Sequence, residues 1–460
     1  MKLHRYWTWG VVAVLCLVVL AGSVSCRRAS NPPPPGPRPA PQTQTQVHPH
    51  QLLTGETKQT AMRGPRLASV AAEPQLRIRI ERSSTSLQVG GNESLTVGPG
   101  QRDRGRSAAR SFAGPIRVRH DGSGFVITDA LGNALRWPLS TLHINNQAGE
   151  IAVNDGRFPG SLELVALHEQ AKYTGYIDVV NYVGMEQYLP GVLSQEMYPN
   201  WDLEAYKAQA VAARSYAIWE MNLPVRTSSH FDLEAGEASQ AYIGSNAHAT
   251  ARRAVAETRG LVLVYDQRVL PAFYSSCSGG IGQDATAAFP GRVAGLAPLR
   301  GRDQGSWGRA STKFAWGPVS YTKPKVIASM RRWGELNEHP LARLSSLRTI
   351  QATSRTGAGR PAQYTVTDDA GRRYTLGPEQ LRRAANTGVP GNPHETGTRK
   401  LWSGFIQVNV QGETVTFNGR GFGHGVGMCQ FGAQGLAESG RPYHTILGFY
   451  YPGAQIQRAY

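Results

Sequence analysis

In the segment GMEQYLPGVLSQEM, Met185, Leu189, Val192 and Leu193 recur at helical spacing, and Glu196 follows Leu189 by seven residues. Seven steps of about 100° return to within about 20° of the start, so the Glu196 carboxyl belongs on or beside the apolar stripe of a helix. A half-hidden carboxyl tends to keep its proton. That is what a general acid needs, because it must hold the proton near neutral pH until a leaving oxygen takes it. On the following stretch Lys207 and Arg214 are also seven apart and share a face, where they would bind an anionic substrate or hold Glu196 ionised. The same spacing also fits a capping or salt-bridging glutamate with two solvated cations.

A second cluster, GRGFGHGVGMCQFGAQG from Gly419 to Gly435, sets seven glycines around His424, Met428 and Gln430. Alternate glycines permit positive φ and close approach of backbone to a ligand, and a helix starting near Met428 would point N–H groups toward it. His424 and Gln430 are therefore candidate binding residues. The phosphate-loop lysine signature is absent, and the dinucleotide glycine pattern does not fit the register. A third cluster, FYSSCSGG from Phe273 to Gly280, places Ser275, Ser276 and Cys277 beside paired glycines. Cys277 precedes His424 in the order of papain-like thiol peptidases, but the flanking cysteine signature of those enzymes is missing, as is the nucleophile-elbow pattern at the serines.

The elements that must carry these residues can be read from periodicity. LRIRI at Leu76 to Ile80, then IRVRH, GFVITD and SLELVAL, alternate apolar with polar residues and predict a β-rich entry region. The period changes to helical between Val183 and Glu220, where Leu203, Tyr206, Ala210, Ala213 and Ala217 are spaced by threes and fours, with Asn200 or Asp202 as cap. Strand patterns return at GLVLVY and FYSSCSGG. QYTVTDDAGRRYTL then reads as a hairpin, FIQVNV as a strand, and the Gly-rich cluster leads into a short helix and a strand-like tail.

The chain has 460 residues, 40% of them hydrophobic, with 52 Gly and 29 Pro, a composition that excludes a coiled coil or a polytopic membrane protein. Its 49 Lys plus Arg against 32 Asp plus Glu give +17, which favours polyanionic surroundings. No nucleic-acid-binding signature accompanies that charge, so nucleic acid is not an expected partner. Lys2, His4 and Arg5 precede an uncharged run from Gly10 to Gly22. Such a run covers about 20 Å, short of a hydrocarbon core of about 30 Å, so a cleaved export signal is expected, with an uncleaved membrane anchor as the alternative. Cys26 only loosely fits a lipoprotein acylation site. PPPPGPRPAPQTQTQ, within residues 27–75, has the composition of a disordered tether. Cys277 and Cys429 lack metal-binding spacing, and one bridge or two free thiols are both open.

Taken in order, GRFPGSLEL, YLPGVLSQEM, LEAYKAQAVAARSYA, ASQAYIG, FYSSCSGG, KLWSGFIQV and GHGVGMCQFGA give the chain, from about Leu76 to Tyr460, a resemblance to the SpoIID/LytB family of stage II sporulation protein D and amidase-enhancer relatives. The expected fold is α+β, a β-rich body over residues 76–460 with a few helices carrying the site and an insert-like β subdomain at about 305–400. The resemblance implies a peptidoglycan lytic transglycosylase that cuts the MurNAc-GlcNAc bond of denuded glycan strands, with Glu196 as catalytic residue. Lys207, Arg214, Gln240, Tyr242, Ser276, His424 and Gln430 are then the expected substrate-binding residues. An ordinary glycosidase needs two carboxyl groups, whereas this reaction proceeds with one. Some members carry a His/Cys zinc cluster after the glutamate; here that interval holds His230 and no Cys, so neither metal nor cofactor is expected. The resemblance also leaves room for a Cys277–Cys429 bridge if their two motifs line one cleft. The competing expectation is a non-catalytic glycan-binding enhancer with a cell-wall amidase as partner. Either way the location is periplasmic or cell-wall associated, with anchoring through the N-terminus or Cys26 as a variant.

Overall fold

The computed structural model describes residues 64–83, 86–236, 239–293, 295–388 and 400–460. The expected export segment, Cys26 and the tether up to residue 63 lie outside them. The described chain is α+β, with alternating strands in its first third and helices where the period changes.

The alternation works as expected. In Gln75–Ser83, Leu76 and Ile78 are fully buried while their neighbours are not, because successive side chains of a strand point to opposite faces. Two sheets result. In the seven-stranded one, Gln75–Ser83 and Ser161–Glu169 flank the long strand Lys172–Gly184; the six-stranded one includes Leu87–Val89, Ile116–His120 and Phe125–Thr128. Val97, Val118, Phe125, Leu142, Leu164 and Val179 fill the core they share.

Lys172–Gly184 runs without a break into helix α1 (Met185–Glu196), so the sheet fixes where that helix begins. Pro190 lies inside α1. Met197 takes extended dihedrals (φ −123°, ψ 147°) and ends the helix immediately after Glu196. Helix α2 (Leu203–Met221) follows, capped by the Asp202 side chain, which accepts from the Glu204 N–H at 2.8 Å. It is buried around almost its whole circumference, which explains AQAVAARSYA: alanines let neighbouring elements approach closely on every side. Helices Ala249–Glu257, Gln430–Glu438 and Tyr443–Tyr450 and strand Leu261–Tyr265 share its core.

The expected hairpin forms, with Pro361–Thr367 antiparallel to Arg373–Leu376. Together with Ala315–Thr322, Lys323–Leu336, Pro378–Asn386 and Ile406–Gln411 it closes around a further core of Trp333, Tyr364, Leu381 and Phe417. From this region Arg360, with no exposed surface, reaches back to the Ser278, Ile281 and His424 carbonyls.

Candidate functional site

Glu196 sits on the last turn of α1, half-buried, one turn beyond the fully buried Val192 and Leu193. Two donors from distant parts of the chain converge on it. The Ala241 N–H reaches Oε1 at 3.3 Å, and the Gln430 side-chain amide reaches Oε2 at 3.1 Å. Gln430 is the first residue of helix Gln430–Glu438, whose Phe431 N–H donates to the Ser276 carbonyl at 3.1 Å. Ser276 therefore helps the site through its backbone. Segments YLPGVLSQEM, ASQAYIG, FYSSCSGG and GHGVGMCQFGA, spread over more than half the chain, thus meet at one carboxyl.

Gln240 and Tyr242, expected to contact a ligand, are buried behind the site (1% and 7% exposed). The Gln240 amide donates to the Tyr274 hydroxyl at 2.9 Å and accepts from the Tyr188 hydroxyl at 3.3 Å. Tyr242 donates to Asn181 Oδ1 at 3.0 Å, and its ring packs over Tyr188 and against Gly191 of α1, where a side chain would clash. Both therefore hold the Ala241 N–H in place. Burial first, and the Glu196 charge after it, push the Tyr274 hydroxyl well above the usual phenol range. Tyr188 is raised in the same way, with Glu220, Tyr242 and Glu196 adding to burial. Both stay protonated behind the carboxyl. Their alternation with Gln240 was not legible from spacing, although Tyr274 stands inside the FYSSCSGG cluster.

Lys207 and Arg214, expected beside Glu196, are committed to other carboxylates. Lys207 bridges Glu204 at 2.8 Å and Glu257 at 2.6 Å, tying α2 to helix Ala249–Glu257. Arg214, with no exposed side-chain surface, makes a two-pronged pair with Glu186 at 3.0 and 2.8 Å and donates to the Leu261 carbonyl. They do share a face of α2, as the spacing required, but carboxylates of the protein itself occupy it.

His424 also turns inward. Its ring packs edge-on against the stacked rings of Phe273 and Phe289, and Nδ1 accepts from the Val426 N–H at 3.0 Å. The neighbouring glycines have packing reasons. Gly425 (φ +76°) faces the Arg360 guanidinium and Gly427 (φ +69°) the Phe273 carbonyl, and a Cβ at either position would collide. Burial, opposed by the nearby Glu379 charge, holds the imidazole down at about 4, so it is neutral at physiological pH. It lies one step back from Glu196, next to strand Tyr274–Ser275, which pairs with Met428–Cys429 just ahead of Gln430.

This ring yields a pH prediction. An unfolded histidine titrates near 6.5, so between about pH 6.5 and 4 the unfolded chain binds the extra proton and stability falls as pH falls. The loss from this group approaches about 3 kcal/mol below pH 4. In urea titrations, the fall in stability between pH 7.5 and 4.5 is expected to shrink in His424→Gln; an unchanged fall would assign the acid sensitivity elsewhere.

Cys277 and Cys429 are free, buried thiols that face each other under Gly308, where a Cβ would stand 3.4 and 3.0 Å from their sulfurs. Hydrogen bonding from Cys429, opposed by burial, lowers Cys277 below the usual thiol range, while Cys429 is pushed well up. The Cys429 sulfur also accepts the Gly432 N–H at 3.3 Å, capping the helix that presents Gln430. Among the described residues no group of three or more His, Cys, Asp or Glu could hold a metal ion.

A family model described as SpoIID, stage II sporulation protein, matches residues 173–265. The chain is 28% identical over 290 residues to the amidase enhancer of Bacillus subtilis (strain 168), covering 58% of this chain and 40% of that one. It is 30% identical over 287 residues to an uncharacterized protein of Brachyspira hyodysenteriae (62% and 69% covered). It is 26% identical over 294 residues to the stage II sporulation protein D of Bacillus subtilis (61% and 76% covered). The chain thus spans about 40% of the length of the amidase enhancer and about three quarters of the sporulation protein.

Proposed function

Because the chain belongs to the SpoIID/LytB family, we propose that it works outside the cytoplasmic membrane on bacterial cell-wall glycan, as a lytic transglycosylase with Glu196 as its acid and base. The observation that carries this reading is the convergence of the Ala241 N–H and the Gln430 amide on one half-buried carboxyl at a helix end.

The chemistry suits a lone carboxyl. The flanking segments Ser239–Ala247, Phe273–Gly280 and Gly421–Ala437 contain no Asp or Glu, whereas ordinary glycoside hydrolysis uses a pair. Protonated Glu196 would deliver its proton to the glycosidic oxygen as the bond from MurNAc C1 breaks. The resulting carboxylate, steadied by its two donors, would take the proton of the MurNAc C6 hydroxyl as that oxygen closes on C1. The products are a free GlcNAc 4-hydroxyl and a 1,6-anhydro-MurNAc end, and Glu196 is left protonated for the next turn.

The test is to incubate purified protein with denuded glycan strands and, separately, with intact peptidoglycan, and to look for anhydro ends by mass spectrometry. Anhydro ends with intact stem peptides support the reading. The similarity to the amidase enhancer of Bacillus subtilis favours a second one, in which the chain binds glycan and stimulates a separate amidase. Glycan binding without anhydro ends, together with faster stem-peptide release by an added amidase, would favour that instead.

A further inference from the structure

Most of the large apolar side chains of the described chain are covered, but Tyr198, two residues beyond Glu196, is 57% exposed. It does not stand alone. Its ring lies 5.2 Å from that of Trp201 and 5.8 Å from that of Phe431, and Trp201 and Phe431 are 4.9 Å apart. Both partners are half-buried. Phe431 directly follows Gln430, so the cluster is continuous with the donors on Glu196.

The platform is fixed by main-chain bonds. The Tyr198 carbonyl accepts from the Trp201 N–H at 3.0 Å and the Tyr206 hydroxyl at 2.9 Å. The Asp202 N–H donates to Gln434 Oε1 at 2.9 Å, joining the start of α2 to helix Gln430–Glu438. Rings packed against one another on a backbone fixed in this way lose little side-chain freedom when something stacks on them.

Charge narrows what that can be. In a chain of net +17, neither Met197–Tyr206 nor Gly421–Gly440 contains a Lys or Arg. Asp202 is exposed beside Trp201, and Lys207, the next cation, is neutralised by Glu204 and Glu257. On these two segments an anionic lipid surface or an anionic polymer finds no counter-charge. A pyranose without a carboxylate fits, since its C–H face is apolar and its edge carries hydroxyl and amide groups.

We propose that Tyr198, Trp201 and Phe431 form a stacking subsite for an uncharged N-acetylglucosamine unit adjacent to the bond that Glu196 addresses. This rests on the assignment of Glu196 to the scissile bond; the lactyl carboxylate of the neighbouring MurNAc is held away from the platform.

The test uses the full chain carrying Glu196→Gln, with chitotetraose as a neutral probe followed by calorimetry and by tryptophan fluorescence. Adding Tyr198→Ala is expected to weaken binding roughly tenfold, Tyr198→Phe to restore it, and Leu131→Ala, a similarly exposed control in the β-rich region, to leave it unchanged. Tyr198 is exposed, so its variants are expected to fold; unchanged thermal midpoints verify this. Equal chitotetraose affinity in the Tyr198→Ala protein overturns the proposal, as does loss of binding to a purified amidase with glycan affinity intact, which would make the patch a protein-docking surface. If the chain with native Glu196 releases no anhydro ends yet chitotetraose binding depends on Tyr198, the catalytic reading fails and the subsite stands. If anhydro ends form and binding ignores Tyr198, the subsite alone fails.

Discussion

Glu196→Gln is expected to lower the rate of anhydro-end release by about a thousandfold, the contribution of a positioned proton donor and acceptor, while leaving the fold intact. Glutamine has the shape of the acid but can neither give up nor take the proton. It also presents an N–H₂ group toward one of the two donors, Ala241 or Gln430, that now meet carboxylate oxygens. That mismatch costs a hydrogen bond at a partly solvated position, about 1 kcal/mol, so the thermal midpoint should move little. A structural glutamate would give the reverse pattern, with stability falling and release continuing. The assay is mass spectrometric quantification of anhydro ends over time, with circular dichroism to verify folding. Release by the variant at the wild-type rate would sink the catalytic assignment of Glu196.

The elements around Glu196 were legible because their periods are strong. The threes and fours from Leu203 to Ala217 make α2, Asp202 caps it, and the alternation in LRIRI and SLELVAL makes paired strands. The apolar stripe of α1 likewise put Glu196 at the edge of burial. Partnerships were harder to read. Spacing puts Lys207 and Arg214 on one face of α2, with Glu204 within i,i+3 reach of Lys207, but says nothing of Glu186 and Glu257, which come from two other helices. The glycines around His424 read as room for a ligand, although glycine leaves the same room for protein. The buried guanidinium of Arg360, supplied from outside the motif, takes the second option. Tyr198, Trp201 and Phe431 escaped notice because a ring cluster assembled from two segments some 230 residues apart leaves no periodic trace in either.

Arg214→Met is expected to cost about 3 to 5 kcal/mol of stability, because it leaves the Glu186 carboxylate buried without its cation. Glu186 is the hub of this end of the core. Besides the two-pronged contact with Arg214, it accepts from the Tyr460 hydroxyl at 2.6 Å and the Gly260 N–H at 3.1 Å, and so joins α1, α2, the strand from Leu261 and the last residue of the chain. Burial would raise its pKa, but the Arg214 hydrogen bonds and charge, with those of Tyr460 and Gly260, outweigh that and hold it below the usual glutamate range. Its contribution is therefore present above the unfolded pKa of about 4.3 and is lost as pH falls through the folded value. Pairing Arg214→Met with Glu186→Gln removes the stranded charge, so the double variant should be more stable than the sum of the two single losses predicts. Urea unfolding of the four proteins measures that coupling. Glu196 stands at the far end of the helix whose first turn carries Glu186, so Arg214→Met should also lower activity, with the double variant recovering part of both. Were Arg214 a substrate contact instead, the single variant would keep its unfolding midpoint, raise KM, and gain nothing from the change at Glu186.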